Sequence, residues 1–220
     1  MALMPEARGP GRPAIFLDKD GTLVEDVPYN VDPALLRFTP RAVEALRLLA
    51  GHGYALVVVT NQPGIALGRF DAAALGRLQA ALTARLADAG VHLEGFHACP
   101  HAPEGPDGRL RCTCRKPAPG LLQQAARQHG LDLARSWMVG DILNDIEAGR
   151  RAGCRTVLLD VGNETEWLMS PLRTPHRCVR DLMEAARSIL ASDRAGRPDV
   201  ERNPLPPGTG SRAAPIRTAP

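Results

Sequence analysis

Ala14-Ile15-Phe16-Leu17-Asp18-Lys19-Asp20-Gly21-Thr22 joins four apolar residues to two carboxylates one residue apart. The apolar run reads as a strand buried on both faces, as strands of parallel sheets are. In strand geometry residues i and i+2 share a side. Asp18 and Asp20 therefore emerge together at the strand's carboxyl end, where α/β proteins place their ligands. Gly21 lets the chain turn sharply at that point. Two like charges so close repel unless a cation sits between them or one takes a proton. An all-oxygen donor set suits a hard cation, Mg²⁺. A bare pair of this kind is more often a solvated turn, so its weight rests on what surrounds it.

Downstream, the chain alternates strand and helix patterns. A loop through Asp26 and Tyr29 leads to a helix with Val43, Leu46 and Leu49 at helical spacing, ended by Gly51 and Gly53. The run from Tyr54 to Thr60 reads as a second buried strand, broken at Asn61-Gln62-Pro63-Gly64. Asp71 has the character of an N-cap for a helix carrying Leu75, Leu78, Leu82 and Leu86 on one face. Further strands are expected at Gly95 to Ala98, Trp137 to Val139, Thr156 to Leu159 and near Cys178. Helices are expected at Pro119 to His129, Asn144 to Ala152 and Asp181 to about Ala191. The alternation predicts an α/β fold, a doubly wound parallel sheet covered on both faces. Only about twenty residues separate Asp20 from the first helix, too few for a large inserted cap domain.

The 220 residues suit one domain, placed at 13–191. Residues 1–12 and 192–220 are rich in Pro, Gly and Ala and read as disordered tails. They carry the whole net charge of +3, so the core between them is neutral. A nucleic-acid footprint would need a basic face on the folded part, and none is expected. No apolar run approaches the roughly 20 residues of a membrane span, and the N-terminus lacks a signal-peptide core, so a cytoplasmic protein, a monomer, is expected. Of 27 basic residues only Lys19 and Lys116 are lysines. An ammonium on a flexible stem does not replace a guanidinium, which marks Lys116 as chemically required.

Three more stretches carry polar groups to strand ends or helix starts. Thr60 closes the second strand, where its hydroxyl and the next backbone N–H groups can hold a phosphoryl oxygen; a capping turn is the bland alternative. Lys116, in Arg115-Lys116-Pro117, stands just ahead of a helix, a poor place for a cation unless an anion sits there too. Val139-Gly140-Asp141-Ile142-Leu143-Asn144-Asp145 places two acids four residues apart after a strand.

Taken in this order, the motifs resemble those of the haloacid dehalogenase-like (HAD-like) phosphatases, a Rossmannoid family whose first motif is a strand followed by DxDGT. The resemblance implies a phosphoric monoester hydrolase working through an aspartyl-phosphate. Asp18 would be its nucleophile and Asp20 its general acid/base, with Thr60 and Lys116 stabilising the phosphoryl group. Mg²⁺ would bind Asp18, the backbone carbonyl of Asp20 and Asp141, with Asp145 orienting them from behind.

Cys99-Pro100-His101 and Cys112-Thr113-Cys114 place three thiols and an imidazole at the ends of the loop 99–114. Four such ligands with no open position make a structural zinc site, and a disulfide is the poorer reading where thiols stay reduced. Cys154 and Cys178 read as core thiols. The pattern CxH…CxCRKP after TNQ narrows the resemblance. It is similar to the zinc-containing subgroup of bacterial D-glycero-D-manno-heptose 1,7-bisphosphate 7-phosphatases and histidinol-phosphate phosphatases. The resemblance implies substrate contacts at Asp26, Tyr29, Asn61, Gln62 and Arg115. Two positions depart from it. Some heptose enzymes carry a basic residue where this chain has Ile142 and an arginine where it has Leu67, which removes two candidate phosphate contacts. The expected substrate is a small phosphorylated metabolite, the heptose bisphosphate first and histidinol phosphate or another sugar phosphate second. A non-catalytic zinc-stabilised binding module is the distant alternative, and it predicts damage to at least one of Asp18, Asp20, Thr60, Lys116 and Asp141; all five are present.

Overall fold

The structure, a computed structural model, describes residues 11–103 and 112–194. The expected tail disorder falls mostly on residues 1–10 and 195–220, and the middle of the expected zinc loop on 104–111, all outside the described residues. Six strands form one sheet: β1 (Ala14–Leu17), β2 (Ala55–Asn61), β3 (Gly95–Cys99), β4 (Trp137–Gly140), β5 (Arg155–Leu159) and β6 (Arg177–Val179). All five pairings are parallel and the order is β3-β2-β1-β4-β5-β6. The order reverses between β1 and β4, and a doubly wound sheet opens its ligand crevice at that switch point. Leu17 pairs with Val58 on one side and Val139 on the other.

Alternation along each strand splits the interior in two. Ile15, Leu17, Leu56, Val58, Val139 and Val157 face the helices α1 (Ala42–Gly51), α2 (Ala72–Asp88) and α5 (Leu182–Arg194). Ala14, Phe16, Val57, Val59 and Met138 face the other way, towards α3 (Gly120–His129) and α4 (Leu143–Ala152). With both faces covered, the strands read as unbroken apolar runs.

The helices follow their local signals. Asp71 accepts from Ala74 N at 2.7 Å and caps α2. Leu75, Leu78, Leu82 and Leu86 are its buried stripe, each contributing roughly 1.5–3 kcal/mol by leaving water. In α1 the buried positions are Ala42, Ala45, Leu46 and Leu49, with Val43 only flanking them. Two boundaries differ from expectation. Helix α5 runs on to Arg194, and Gly11 and Arg12 are already docked, Arg12 exchanging backbone bonds with Gly130 and Asp132 at 3.2 and 3.0 Å. Among the described residues no helix is long and apolar enough to cross a membrane.

Candidate active site

Strands β1, β2 and β4 end side by side, and each delivers polar groups to the crevice above the sheet. Asp18 follows β1, its N–H donating to Val139 O at 3.0 Å. Asp141 follows β4, and Thr60 is the penultimate residue of β2. Gly21, at φ +75°, carries the chain round the first turn; a Cβ there would stand 2.2 Å from Asp141 Oδ2 and 2.3 Å from Asn163 Nδ2. The glycine is required both by its left-handed backbone and by the close approach.

Lys116 is the centre of the arrangement. Its ammonium is buried, hydrogen-bonds Asp18 Oδ1 and Val59 O, and lies 2.7 Å from Asp145 Oδ1. Burial alone would lower its pKa, but the Asp145 and Asp18 carboxylates more than reverse this, so the lysine stays charged. Its backbone is held too. The Asn61 amide accepts from Lys116 N at 3.0 Å and donates to Lys116 O at 3.1 Å. Asn61, expected to touch substrate, spends both ends of its side chain on this clamp.

The second acid of the first motif is set separately. Asp20 accepts from Lys19 Nζ and, at 3.0 Å, from Gln62 Nε2, which also donates to Thr60 Oγ1 at 3.0 Å. Gln62 is thus a buried bridge between Asp20 and Thr60 rather than a free substrate contact. Burial raises the pKa of Asp20; Lys19 opposes the shift and Asp18 adds to it. Lys19, a mere neighbour by sequence, is buried and fixes one Asp20 oxygen.

Oxygens of Asp18, Asp141 and Asp145 lie within 4.8 Å of one another, all three residues buried. Three carboxylates face one ammonium, and Asp145 Oδ1 receives no aligned hydrogen bond. Burial, then the charge of Asp18, pushes the pKa of Asp141 up to about 6, and burial raises that of Asp145 against the pull of Lys116. Uncompensated charge and oxygen-only donors fit a hard divalent cation. Asp141 is aimed by Thr22 Oγ1 at 3.0 Å and Asn163 Nδ2 at 2.7 Å. Asn163 was not anticipated: it follows Gly162 in the loop after β5, where the only sequence signal is a turn pair at a strand's carboxyl end.

The second metal-capable cluster is Cys99, His101, Cys112 and Cys114. Cys99 Sγ is 3.7 Å from Cys112 Sγ and 3.3 Å from Cys114 Sγ, and His101 Nδ1 is 3.4 and 3.3 Å from Cys99 and Cys114. Arg115 N donates to Cys112 Sγ at 3.3 Å. Three sulfurs and one nitrogen converging without a disulfide are a donor set suited to tetrahedral zinc. The remaining cysteines are packing groups, Cys154 buried in the second core and Cys178 partly buried.

A cavity of about 680 Å³ opens beside Lys116, lined among others by Arg115, Ile142, Asn144, Asn163, Glu164 and Arg173. Asp26 lines a different cavity of about 390 Å³, with Gly21 and Asn163. The expected contacts Asp26 and Arg115 thus line two cavities that share Asn163. Tyr29 is exposed, with the Arg69 guanidinium 5.7 Å above its ring.

Residues 113–185 match the model of the HAD-hydrolase-like family. The D-glycero-beta-D-manno-heptose-1,7-bisphosphate 7-phosphatase of Salmonella typhi is 40% identical over 171 residues, 73% of this chain and 91% of that protein. The enzyme of the same name from Escherichia coli K12 is 37% identical over 186 residues, 80% of this chain and 97% of that one. Among solved structures, the D,D-heptose 1,7-bisphosphate phosphatase of B. bronchiseptica, complexed with magnesium and phosphate, superposes with a TM-score of 0.67 at 32% identity, covering 82% of this chain and 99% of that one. With the motifs in order and the crevice at the switch point, the chain belongs to the HAD-like phosphatases, in the branch of the D-glycero-beta-D-manno-heptose-1,7-bisphosphate 7-phosphatases.

Proposed function

We propose that the protein removes the 7-phosphate of D-glycero-D-manno-heptose 1,7-bisphosphate through an aspartyl-phosphate on Asp18. The observation that carries this is the convergence of Asp18, Lys116 and Asp141 at the β1/β4 crevice, with Asp20 independently held by Gln62 and Lys19. Relatives named for this reaction support the substrate.

An Asp18 oxygen attacks phosphorus and the bond to the sugar oxygen breaks. Asp20, whose pKa burial raises against the pull of Lys19, gives a proton to the departing oxygen as general acid. Water then yields a proton to the Asp20 carboxylate and attacks phosphorus, the bond to Asp18 breaks, and phosphate and free Asp18 are restored. Lys116, charged and immobile, meets the negative charge on the transferring oxygens, and Thr60 Oγ1 supplies a donor. Asp18, Asp141 and the Asp20 carbonyl, with Asp145 behind them, would hold Mg²⁺, which would supply electrostatic stabilisation of the phosphoryl oxygens. Cys99, His101, Cys112 and Cys114 would hold a structural zinc: Cys114 directly precedes Arg115 and Lys116, so the cluster would anchor the segment that bears them.

Ile142 and Leu67, apolar where some heptose enzymes are basic, favour one second reading, a substrate with a single phosphate such as histidinol phosphate. Phosphate release with Mg²⁺ from both anomers of the heptose bisphosphate, histidinol phosphate and other sugar phosphates tests the two. A heptose bisphosphate is expected to be turned over best, and Asp18→Asn to abolish turnover of all of them while its circular dichroism stays that of wild type. Full activity of Asp18→Asn would sink the mechanism; preference for a monophosphate would move the substrate.

A further inference from the structure

If the substrate carries two phosphates, the second needs a cation of its own, and this chain lacks the two basic side chains that some relatives bring. The helix end offers no substitute. Leu143 N, at the start of α4, already donates to Glu164 Oε2 at 2.7 Å, and Glu166 N donates to Glu164 Oε1 at 2.8 Å. Lys116 is committed to Asp18 and Asp145. The charged groups left to the 680 Å³ cavity are Arg115 and Arg173, with the carboxylates of Glu164, turned onto the Leu143 and Glu166 N–H groups, and the exposed Glu166.

Arg173 comes from a turn between β5 and β6, and α4 holds it rigidly. Its Nε donates to Glu147 Oε2 at 2.7 Å and its Nη2 to Asn144 Oδ1 at 2.9 Å. Glu147 gives its other oxygen to Arg151, at 2.6 and 2.8 Å. One carboxylate thus serves two guanidiniums, and the cluster keeps a net positive charge. Nη1 of Arg173 has no partner among the described residues. A guanidinium fixed along one edge and open along the other, at the wall of a cavity that Arg115 also lines, is a preorganised anion site.

We propose that Arg173 binds the second, non-reacting phosphate of the substrate and thereby sets the preference for a bisphosphate over a monophosphate. The assignment rests on the heptose bisphosphate reading above. It makes Arg173 the counterpart, reached from a different part of the chain, of the basic residues absent at Ile142 and Leu67. Because that phosphate stays on the product, Arg173 acts by holding the substrate and has no part in proton transfer.

The test is kcat/KM for wild type, Arg173→Met and Arg173→Lys on heptose 1,7-bisphosphate and on the corresponding heptose 7-phosphate. The ratio of the two specificity constants is expected to fall roughly tenfold or more in Arg173→Met, the usual cost of a charged hydrogen bond. Arg173→Lys, which keeps the charge and folds without the fork, should fall in between. Equal losses on both substrates, or none on either, overturn the assignment, since a residue that only pins the turn to α4 cannot tell them apart. If wild type turns over the heptose 7-phosphate but not the bisphosphate, the heptose bisphosphate reading fails first and the assignment with it. If wild type prefers the bisphosphate and Arg173→Met keeps that preference, only the assignment fails.

Discussion

Lys116 shows why a buried cation is stable here. Its desolvation is offset because two carboxylates and a carbonyl meet it, so the ammonium stays charged out of water. Gly21 is as constrained, for a different reason. Gly21→Ala would force a Cβ onto Asp141 Oδ2 and Asn163 from a left-handed backbone. A displacement of about 1 Å at reacting groups costs on the order of 100-fold, so kcat/KM should drop by about that much, while the left-handed backbone, at roughly 1–2 kcal/mol for alanine, lowers the melting temperature by a few degrees; wild-type kinetics in Gly21→Ala would show that Asp141 need not be held where it is. Lys116, Asp18, Asp20, Thr60 and Asp141 were legible because their types occur in a fixed order at strand ends and helix starts. Asn163, Lys19 and Arg173 were not. A polar residue in a loop gives the same local signal whether it faces solvent or an acid brought from another strand, and only the folded chain places Asn163 against Asp141.

The secondary elements were easier to read than their edges. The α2 stripe and its Asp71 cap follow from periodicity and one side-chain hydrogen bond, whereas the end of α5 depends on Asp193, whose carboxylate reaches Tyr54 and Arg155, partners far away in sequence. The segment from Cys112 to Lys116 has little regular structure, and its position depends on the cysteine cluster and the Asn61 clamp. Cys112→Ser is accordingly expected to leave the purified protein short of zinc. Its melting temperature should fall by about 5–10 °C, equivalent to roughly 2–3 kcal/mol for a domain of this size. Metal analysis by plasma mass spectrometry beside a thermal melt checks both, and an unchanged zinc content would remove the structural zinc site.

The fold also carries a pH dependence remote from the crevice. His176 has Arg150 Nη1 2.7 Å from Nε2 and Thr156 N 3.0 Å from Nδ1, so donors face both ring nitrogens. Burial, then Arg150, Arg155 and Arg177, lower its pKa to about 4. Unfolded, the imidazole takes its proton near pH 6.5. Between those values the unfolded chain binds the extra proton, so stability is full above pH 6.5 and lost as pH falls towards 4. After screening of this partly exposed ring the loss is roughly 1–2 kcal/mol. Denaturant midpoints at pH 7.5 and 5 should therefore separate more in wild type than in His176→Gln; an equal separation would assign the effect to other groups. A last consequence follows from the sheet order. Ala14 N and Ser136 Oγ, bonded at 2.8 Å where β1 meets β4, stand 122 positions apart. During synthesis at roughly 5–20 residues per second, β1 waits about 6–24 s with one edge of its most apolar segment unpaired. An open edge of that kind recruits other strands, so the nascent chain is most exposed to aggregation, and most in need of chaperones, before β4 leaves the ribosome.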